Sequence, residues 1–218
     1  MKISKRTLTL LKNFSGINSS IIINPGNTIK TVSPQKTIVG ISQTAEDFPC
    51  QIAIYDLNRF LSVLSTFNDP DIDFKKDKLT ISENNRKLNY IYADPKVIVT
   101  LEKDIKEPDQ ITSFSLSAAD LSNLIKVSYI LKFSDVLFEA DGEKLFLKGC
   151  NPSETNNTAD VYSIELGETE LTFKVFIKIE KLKLLEEDFE VSVFKGLVKF
   201  SSDSQLTYYV AIEKNSEV

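Results

Sequence analysis

Met1-Lys2-Ile3-Ser4-Lys5-Arg6-Thr7-Leu8-Thr9-Leu10-Leu11-Lys12-Asn13-Phe14-Ser15-Gly16 opens the chain, and its two faces set the architecture. Wound at about 100° per residue, Ile3, Leu8, Leu10, Leu11 and Phe14 gather on one side. Lys2, Lys5, Arg6 and Lys12 gather on the other, with Thr9 and Asn13 between them. Ser4 suits an N-cap and Gly16 follows the last periodic residue, so the spacing predicts a helix between the two. A surface helix ordinarily mixes Glu with Lys for i,i+4 support. This one carries cations alone.

The lack of acid extends past the helix. Residues 1–45 hold Lys2, Lys5, Arg6, Lys12, Lys30 and Lys36 and neither Asp nor Glu; the first acid is Glu46. The 218 residues carry 26 bases and 31 acids, net −5, so with those six set aside residues 46–218 stand at 20 against 31, a net of −11. Such asymmetry reads either as an anion-facing surface on an otherwise acidic protein or as a solvated helix face.

Composition removes whole classes. With 42% hydrophobic and 26% charged residues and 7 each of Gly and Pro, the chain is ordinary globular material, one large domain or two smaller ones. There is no histidine, which excludes Ser-His and Cys-His nucleophiles and every imidazole metal site. Cys50 and Cys150 form no CxxC pair, so a structural zinc site is excluded and two buried thiols in a reducing compartment are expected. No apolar run approaches the ~18 residues of a membrane span, and the opening segment lacks a signal-peptide core. The expectation is a soluble, intracellular protein with no cofactor.

Strand-like runs follow at 17–24, 28–32, 37–43 and 50–55. Asp56 is placed to cap a second helix through Phe67, with Leu57, Phe60, Leu61, Leu64 and Phe67 inward and Asn58, Arg59, Ser62, Ser65 and Thr66 outward. Short strands at 71–75, 78–82 and 87–92 lead into residues 93–110, a charged, proline-bearing surface connector. Then the order begins again. A strand at 111–116 precedes Ser117, whose spacing to Asp120 resembles a capping box, and a helix with Leu121, Leu124, Ile125, Ser128 and Leu131 inward and Lys126 outward. Strands at 134–140 and 143–149 flank the hairpin signal Asp141-Gly142. Strands at 160–166 and 171–177 precede a short helical segment, 178–185, and strands at 189–194, 197–202 and 206–213 close the chain. The expected architecture is therefore α+β: two similar domains, 1–108 and 109–218, each with two helices packed on antiparallel sheet.

These residues resemble the DNA-polymerase sliding clamps of T-even-type bacteriophages. The likeness is carried by Met1-Lys2 and Ser4-Lys5, by Leu10-Leu11-Lys12-Asn13-Phe14 and Ile17-Asn18-Ser19, and by Ala53-Ile54-Tyr55-Asp56-Leu57-Asn58 with Phe60-Leu61. Ala93-Asp94-Pro95 matches the start of the family's interdomain connector, and Asp120-Leu121 with Leu124-Ile125-Lys126-Val127-Ser128 adds a weaker match. The resemblance implies a homotrimeric, non-enzymatic ring with helices lining the hole and sheets joined edge to edge between subunits. It implies double-stranded DNA, the replicative DNA polymerase and an ATP-driven clamp loader as partners, with a role in late transcription beside them, all in the cytoplasm of an infected bacterial host. Partners of such clamps insert a hydrophobic carboxy-terminal peptide near the connector. The connector here departs from the family's proline-rich pattern, so Val97, Ile98, Val99 and Leu101 read equally as pocket wall and as ordinary packing.

A ring that moves along DNA needs cations without base-reading groups, because phosphate attraction is independent of sequence whereas base-edge hydrogen bonds fix a site. Lys5, Arg6, Lys12, Arg59 and Lys126 suit that role, with Lys2 beside them. Lys178, Lys181 and Lys183 are weaker, since Glu180 interrupts them and no face is fixed. Without the ring, each reads as a solvated cation. Against catalysis stands the lack of a glycine-rich phosphate loop, GxGxxG, GxSxG or a distinct acid pair. A β-rich structural or assembly protein of a phage is the other non-enzymatic reading, and it has no need of acid-poor helix faces. A transcription factor would need a recognition helix or basic arm, and neither is evident.

Overall fold

The computed structural model describes residues 1–153 and 159–218, and the chain divides between Asp104 and Ile105 into two compact units. The first unit runs α1 (Lys5–Ile17), β1 (Ile21–Ile23), β2 (Gly26–Val32), β3 (Ile38–Phe48), β4 (Ile52–Ile54), α2 (Leu57–Leu64), β5 (Asp71–Phe74), β6 (Lys78–Glu83) and β7 (Arg86–Ile91). Its pairings are antiparallel: β1 with β4, β2 with β3, and β5-β6-β7 in order.

The second unit runs β8 (Gln110–Leu116), α3 (Ala118–Leu131), β9 (Asp135–Asp141), β10 (Lys144–Cys150), β11 (Tyr162–Glu168), β12 (Thr172–Lys178), β13 (Phe189–Phe194), β14 (Leu197–Ser202) and β15 (Leu206–Ala211). Here the antiparallel orders are β11-β10-β9-β12 and β15-β14-β13-β8.

The helix caps are the residues expected from sequence. Side chains of Ser4, Asp56 and Ser117 accept from the N–H of Thr7, Arg59 and Asp120, each satisfying one orphan donor of a first turn. The C-termini differ. α1 passes through Gly16 to the buried Ile17, and Asn18 ends it by donating its N–H to Phe14 and its side-chain amide to Val32. α2 stops at Leu64, three residues short of expectation. Ser65 and Thr66 hydroxyls take the carbonyls of Ser62 and Val63, and the next N–H groups make tighter i→i−3 bonds.

The fourth expected helix is absent as such. Residues 179–181 make one 3-10 turn, so the described residues hold three α-helices, one of them in the second unit. The local pattern at 178–185 lost to tertiary partners: β12 claims Lys178, the Leu185 N–H meets the Tyr208 hydroxyl at 3.3 Å, and Ile179 and Leu182 are buried.

Each unit seats a helix on a glycine. A Cβ on Gly40 of β3 would lie 2.8 Å from the Phe14 ring, and one on Gly149 of β10 would lie 2.7 Å from Phe133 and 2.9 Å from Ser128 Oγ. Bare backbone lets α1 and α3 approach their sheets, burying Leu10, Leu11 and Phe14 in one unit and Leu121 and Leu124 in the other. β3 is longer than expected because inward-facing Thr44 and Glu46 continue its alternation with polar side chains.

Glu46, 8% exposed, accepts from the Ser4 N–H and from Thr7 Oγ1 at 2.5 Å, clasping the start of α1. Burial pushes its carboxyl up, but the hydrogen bonds from Thr7 and Ser4 prevail and hold its pKa below the ordinary value. A depressed carboxylate stabilises the fold above its unfolded pKa, and that share is lost as pH falls through the folded value. Glu46→Gln should cost about 1–3 kcal/mol at pH 7 and flatten the acid limb of a pH series of thermal melts. An unchanged acid limb would remove the clasp. Gly149→Ala should cost about 1–3 kcal/mol in denaturant unfolding, because Phe133 has to shift.

Candidate nucleic-acid interface

With Leu10, Leu11, Phe14 and Ile17 buried, α1 turns Lys5, Thr9, Lys12 and Gly16 to solvent. Arg6 and Asn13 lie half-buried at the flank. Lys5 and Lys12 are two turns apart on one stripe, and no carboxylate pairs with either among the described residues. α2 packs on α1 and exposes Asn58, Arg59, Ser62, Ser65 and Thr66, again without acid. In the second unit α3 exposes Ala119, Asn123, Lys126 and Ile130 along one stripe.

The remaining candidate lysines are differently placed. Lys2 is bound to Asp69, a hydrogen bond that raises its pKa above the ordinary value. Lys178, at the end of β12, reaches the buried Asp135 at 2.7 Å, and that bond raises its pKa. Lys181 is 14% exposed and held by Glu213 at 2.5 Å and the Ala211 carbonyl at 3.1 Å. Lys183 is exposed. The geometry thus separates Lys5 and Lys12 on α1 from Lys2, Lys178 and Lys181, each of which is engaged by a carboxylate.

At the connector, Pro95–Val97 form a short 3-10 turn capped by Asp94. Val97 is 58% and Val99 42% exposed, Ile98 is buried at 6%, and Leu101 is half-buried. A groove of about 700 Å³ opens beside the connector's first residues, walled by Cys50, Phe74, Ile91, Tyr92 and Pro95 and not by those four. Two carboxylates fix the segment's second half: Asp104 pairs with Lys30 at 2.8 Å in the first unit, and Glu107 meets Lys199 at 2.8 Å and Tyr209 at 2.6 Å in the second.

Sequence reasoning missed the strand edges. β5 has its outer edge covered by Met1, which exchanges backbone hydrogen bonds with Ile72 at 2.9 and 2.8 Å. The outer edge of β12 is covered by Glu217, which exchanges backbone hydrogen bonds with Lys174 at 2.9 and 2.7 Å. β7 and β11 are left as the opposite edges of their two sheets. Arg86 and Lys87 begin β7 and the 67%-exposed Ile91 ends it. Val161, 54% exposed, precedes β11, while Glu165 and Glu168 lie toward its far end. Ser128 packs on Gly149, the partner of Tyr162, so the last turn of α3 stands at the Tyr162 end of β11. That turn exposes Tyr129 (69%), Ile130 (76%) and Leu131 (43%), although Leu131 was expected inward. The apolar phase of Tyr129 and Ile130, opposite the buried stripe, was the available signal.

Among the described residues no group of three or more His, Cys, Asp or Glu side chains is placed to hold a metal ion, and burial pushes the Cys150 thiol up to about 11. No helix among these residues is long and apolar enough to cross a membrane.

Comparison with known proteins agrees along the whole length. Residues 2–100 match the family model for DNA polymerase processivity factor, and residues 113–214 match that for the gp45 sliding clamp, C terminal. The sliding clamp of Enterobacteria phage T4 is 31% identical over 99% of this chain and 98% of its own. That of Vibrio phage KVP40 is 26% identical over 98% and 99%. Among solved structures, A. fulgidus PCNA bound to the C-terminal region of FEN-1 superposes with a TM-score of 0.73 at 13% identity, covering 100% of both chains. The DNA polymerase III subunit beta of Pseudomonas aeruginosa gives 0.67 at 14% identity, with 96% of this chain spanning 63% of that one. The acid-free helix faces, the paired α+β units and these matches have one reading: the chain belongs to the phage sliding-clamp family, the non-enzymatic DNA polymerase processivity factors of phage DNA replication.

Proposed function

We propose that three copies of this chain close into a ring around duplex DNA and hold the replicative polymerase on its template. The carrying observation is the exposed face of α1, where Lys5 and Lys12 stand with neutral neighbours and no carboxylate partner. Duplex DNA carries about one charge per 1.7 Å of axis, and a cationic lining attracts it regardless of sequence. Arg6, Arg59 and Lys126 join that lining. Lys2, Lys178 and Lys181, already engaged by carboxylates, contribute less, and Lys183 is secondary. Three chains at −5 give a ring of −15. Attraction is then confined to the hole, within a Debye length of ~8 Å, and residence comes from topology more than affinity.

The open edges support closure. Antiparallel docking of β7 on β11 of a second copy sets Lys87, beside the Glu83-bound Arg86, toward Glu168 and the Lys144-paired Glu165. It sets Ile91 toward Val161, Tyr162 and the exposed turn at Tyr129–Leu131. A parallel arrangement would place charge on apolar surface. The two patches differ, so the contact is head-to-tail, the kind that generates rings, and it removes the unpaired edges.

An ATP-driven loader opens such a ring in the host cytoplasm, where the phage genome is copied, and late transcription factors share it with the polymerase. Partner peptides dock along the connector, with Val97 and Val99 as exposed contacts, Leu101 beside them and Ile98 as packed support.

Light-scattering chromatography should give three times 24.6 kDa. Ile130→Asp should shift it to the monomer at micromolar concentration with its circular dichroism intact. A trimer indifferent to that change would move the interface elsewhere. In primer extension with the polymerase and loader, Lys5→Glu with Lys12→Glu should shorten products while leaving the trimer whole. Full-length products from that variant would take α1 off the DNA.

A further inference from the structure

We propose that a cleft beside α1 in the first unit is a binding site for an amphipathic anion, a small aryl or acyl carboxylate or sulfonate. The cleft measures about 310 Å³ and is walled by Ile3, Leu8, Leu61, Leu64, Phe67 and Ile72. Leu64 and Ile72, 5% and 1% exposed, make its floor. Its volume is at the small end of ligand pockets, which run from about 300 to 1,000 Å³.

Its polar neighbours fall into two groups. Ser65 Oγ is bonded to the Ser62 carbonyl at 2.7 Å, and the N–H groups of Asn68 and Asp69 donate to Glu83 at 2.9 and 2.8 Å. The Asp69 carboxylate is held by Lys2. Lys5 and Lys12 also border the cleft, and among the described residues neither has a carboxylate partner. Seven residues of helix set their backbones about 10 Å apart, with Leu8 between them on the same rim.

This combination selects its ligand. A free anion on two exposed lysines gains only a screened surface attraction. A neutral apolar molecule fills the floor and leaves the ammonium groups idle. A molecule with both parts buries its body on Leu64 and Ile72 and gives its head to Lys5 or Lys12, adding charge-assisted bonds to apolar burial. The site lies within one unit and needs no ring. Only its competition with DNA rests on the proposed function, which sets the same two lysines against phosphate.

The test uses the assembled, methyl-labelled protein and the dye 8-anilinonaphthalene-1-sulfonate, with N-phenyl-1-naphthylamine as its sulfonate-free analogue. The sulfonate should shift the methyl resonances of Leu8, Leu61, Leu64 and Ile72. Lys5→Gln with Lys12→Gln should weaken it about tenfold, the order of one charge-assisted bond, while the neutral analogue changes less than about twofold. Ser65→Phe, which narrows the mouth and leaves both lysines in place, should weaken both dyes, with melting curves confirming that each variant folds. Shifts confined to other methyls such as Ile130, or equal losses for both dyes in the lysine variant, overturn the site. Duplex DNA should displace the sulfonate. Binding at these methyls that DNA leaves untouched would keep the site and refute the placement of Lys5 and Lys12 against the duplex.

Discussion

The seating of α1 on β3 is the contact from which the functional surface follows. Phe14 rests on Gly40, where a Cβ would be only 2.8 Å from its ring, and Glu46 on the same strand grips the helix start through Ser4 and Thr7. Once that face is committed to the core, helical geometry leaves Lys5 and Lys12 no direction except outward. The N-terminal clasp also places the chain's first acid inside the fold. There it meets the positive end of the helix dipole and adds no negative charge to the exposed face.

Electrostatic sorting runs through both units. On β10 and β12 and in the turn after β12, cations are met by carboxylates: Lys144 by Glu165, Lys148 and Lys174 by Glu139, Lys178 by Asp135, Lys181 by Glu213. The exposed Lys144–Glu165 pair adds little to stability, Asp135 is buried beneath Lys178, and every pair neutralises the field locally. The helix faces keep their cations among Ser, Thr and Asn. A net −5 chain can therefore carry a phosphate-attracting surface, because the relevant quantity is local charge within a Debye length and not the total.

Much of this was legible beforehand. Ser4, Asp56 and Ser117 announced three helix starts, and Asp141-Gly142 a hairpin, because caps and tight turns depend on residues close in sequence. Ends were less legible. Gly16 lies within α1 because Ile17 is buried and Asn18 finds a partner in Val32 of β2. Residues 178–185 had helical spacing but yielded to β12, Tyr208 and Glu213, none of which a local window includes. Lys178 and Lys181 were drawn into carboxylate pairs by the same contacts.

By itself the amino-acid sequence determined the α+β class, the two-unit repeat and the acid-free stripe of α1, since periodicity and charge placement are properties of neighbours along the chain. Only tertiary structure decided which cations remain exposed and unpaired, which strand edges stay open at β7 and β11, and where a cleft forms beside Lys5 and Lys12. Those depend on residues 40 or more positions apart, such as Glu46 at Ser4 or Glu217 at Lys174, meeting through packing. Pairings at that separation are selected by burial and hydrogen-bond satisfaction over the whole fold, and no short stretch of sequence encodes them.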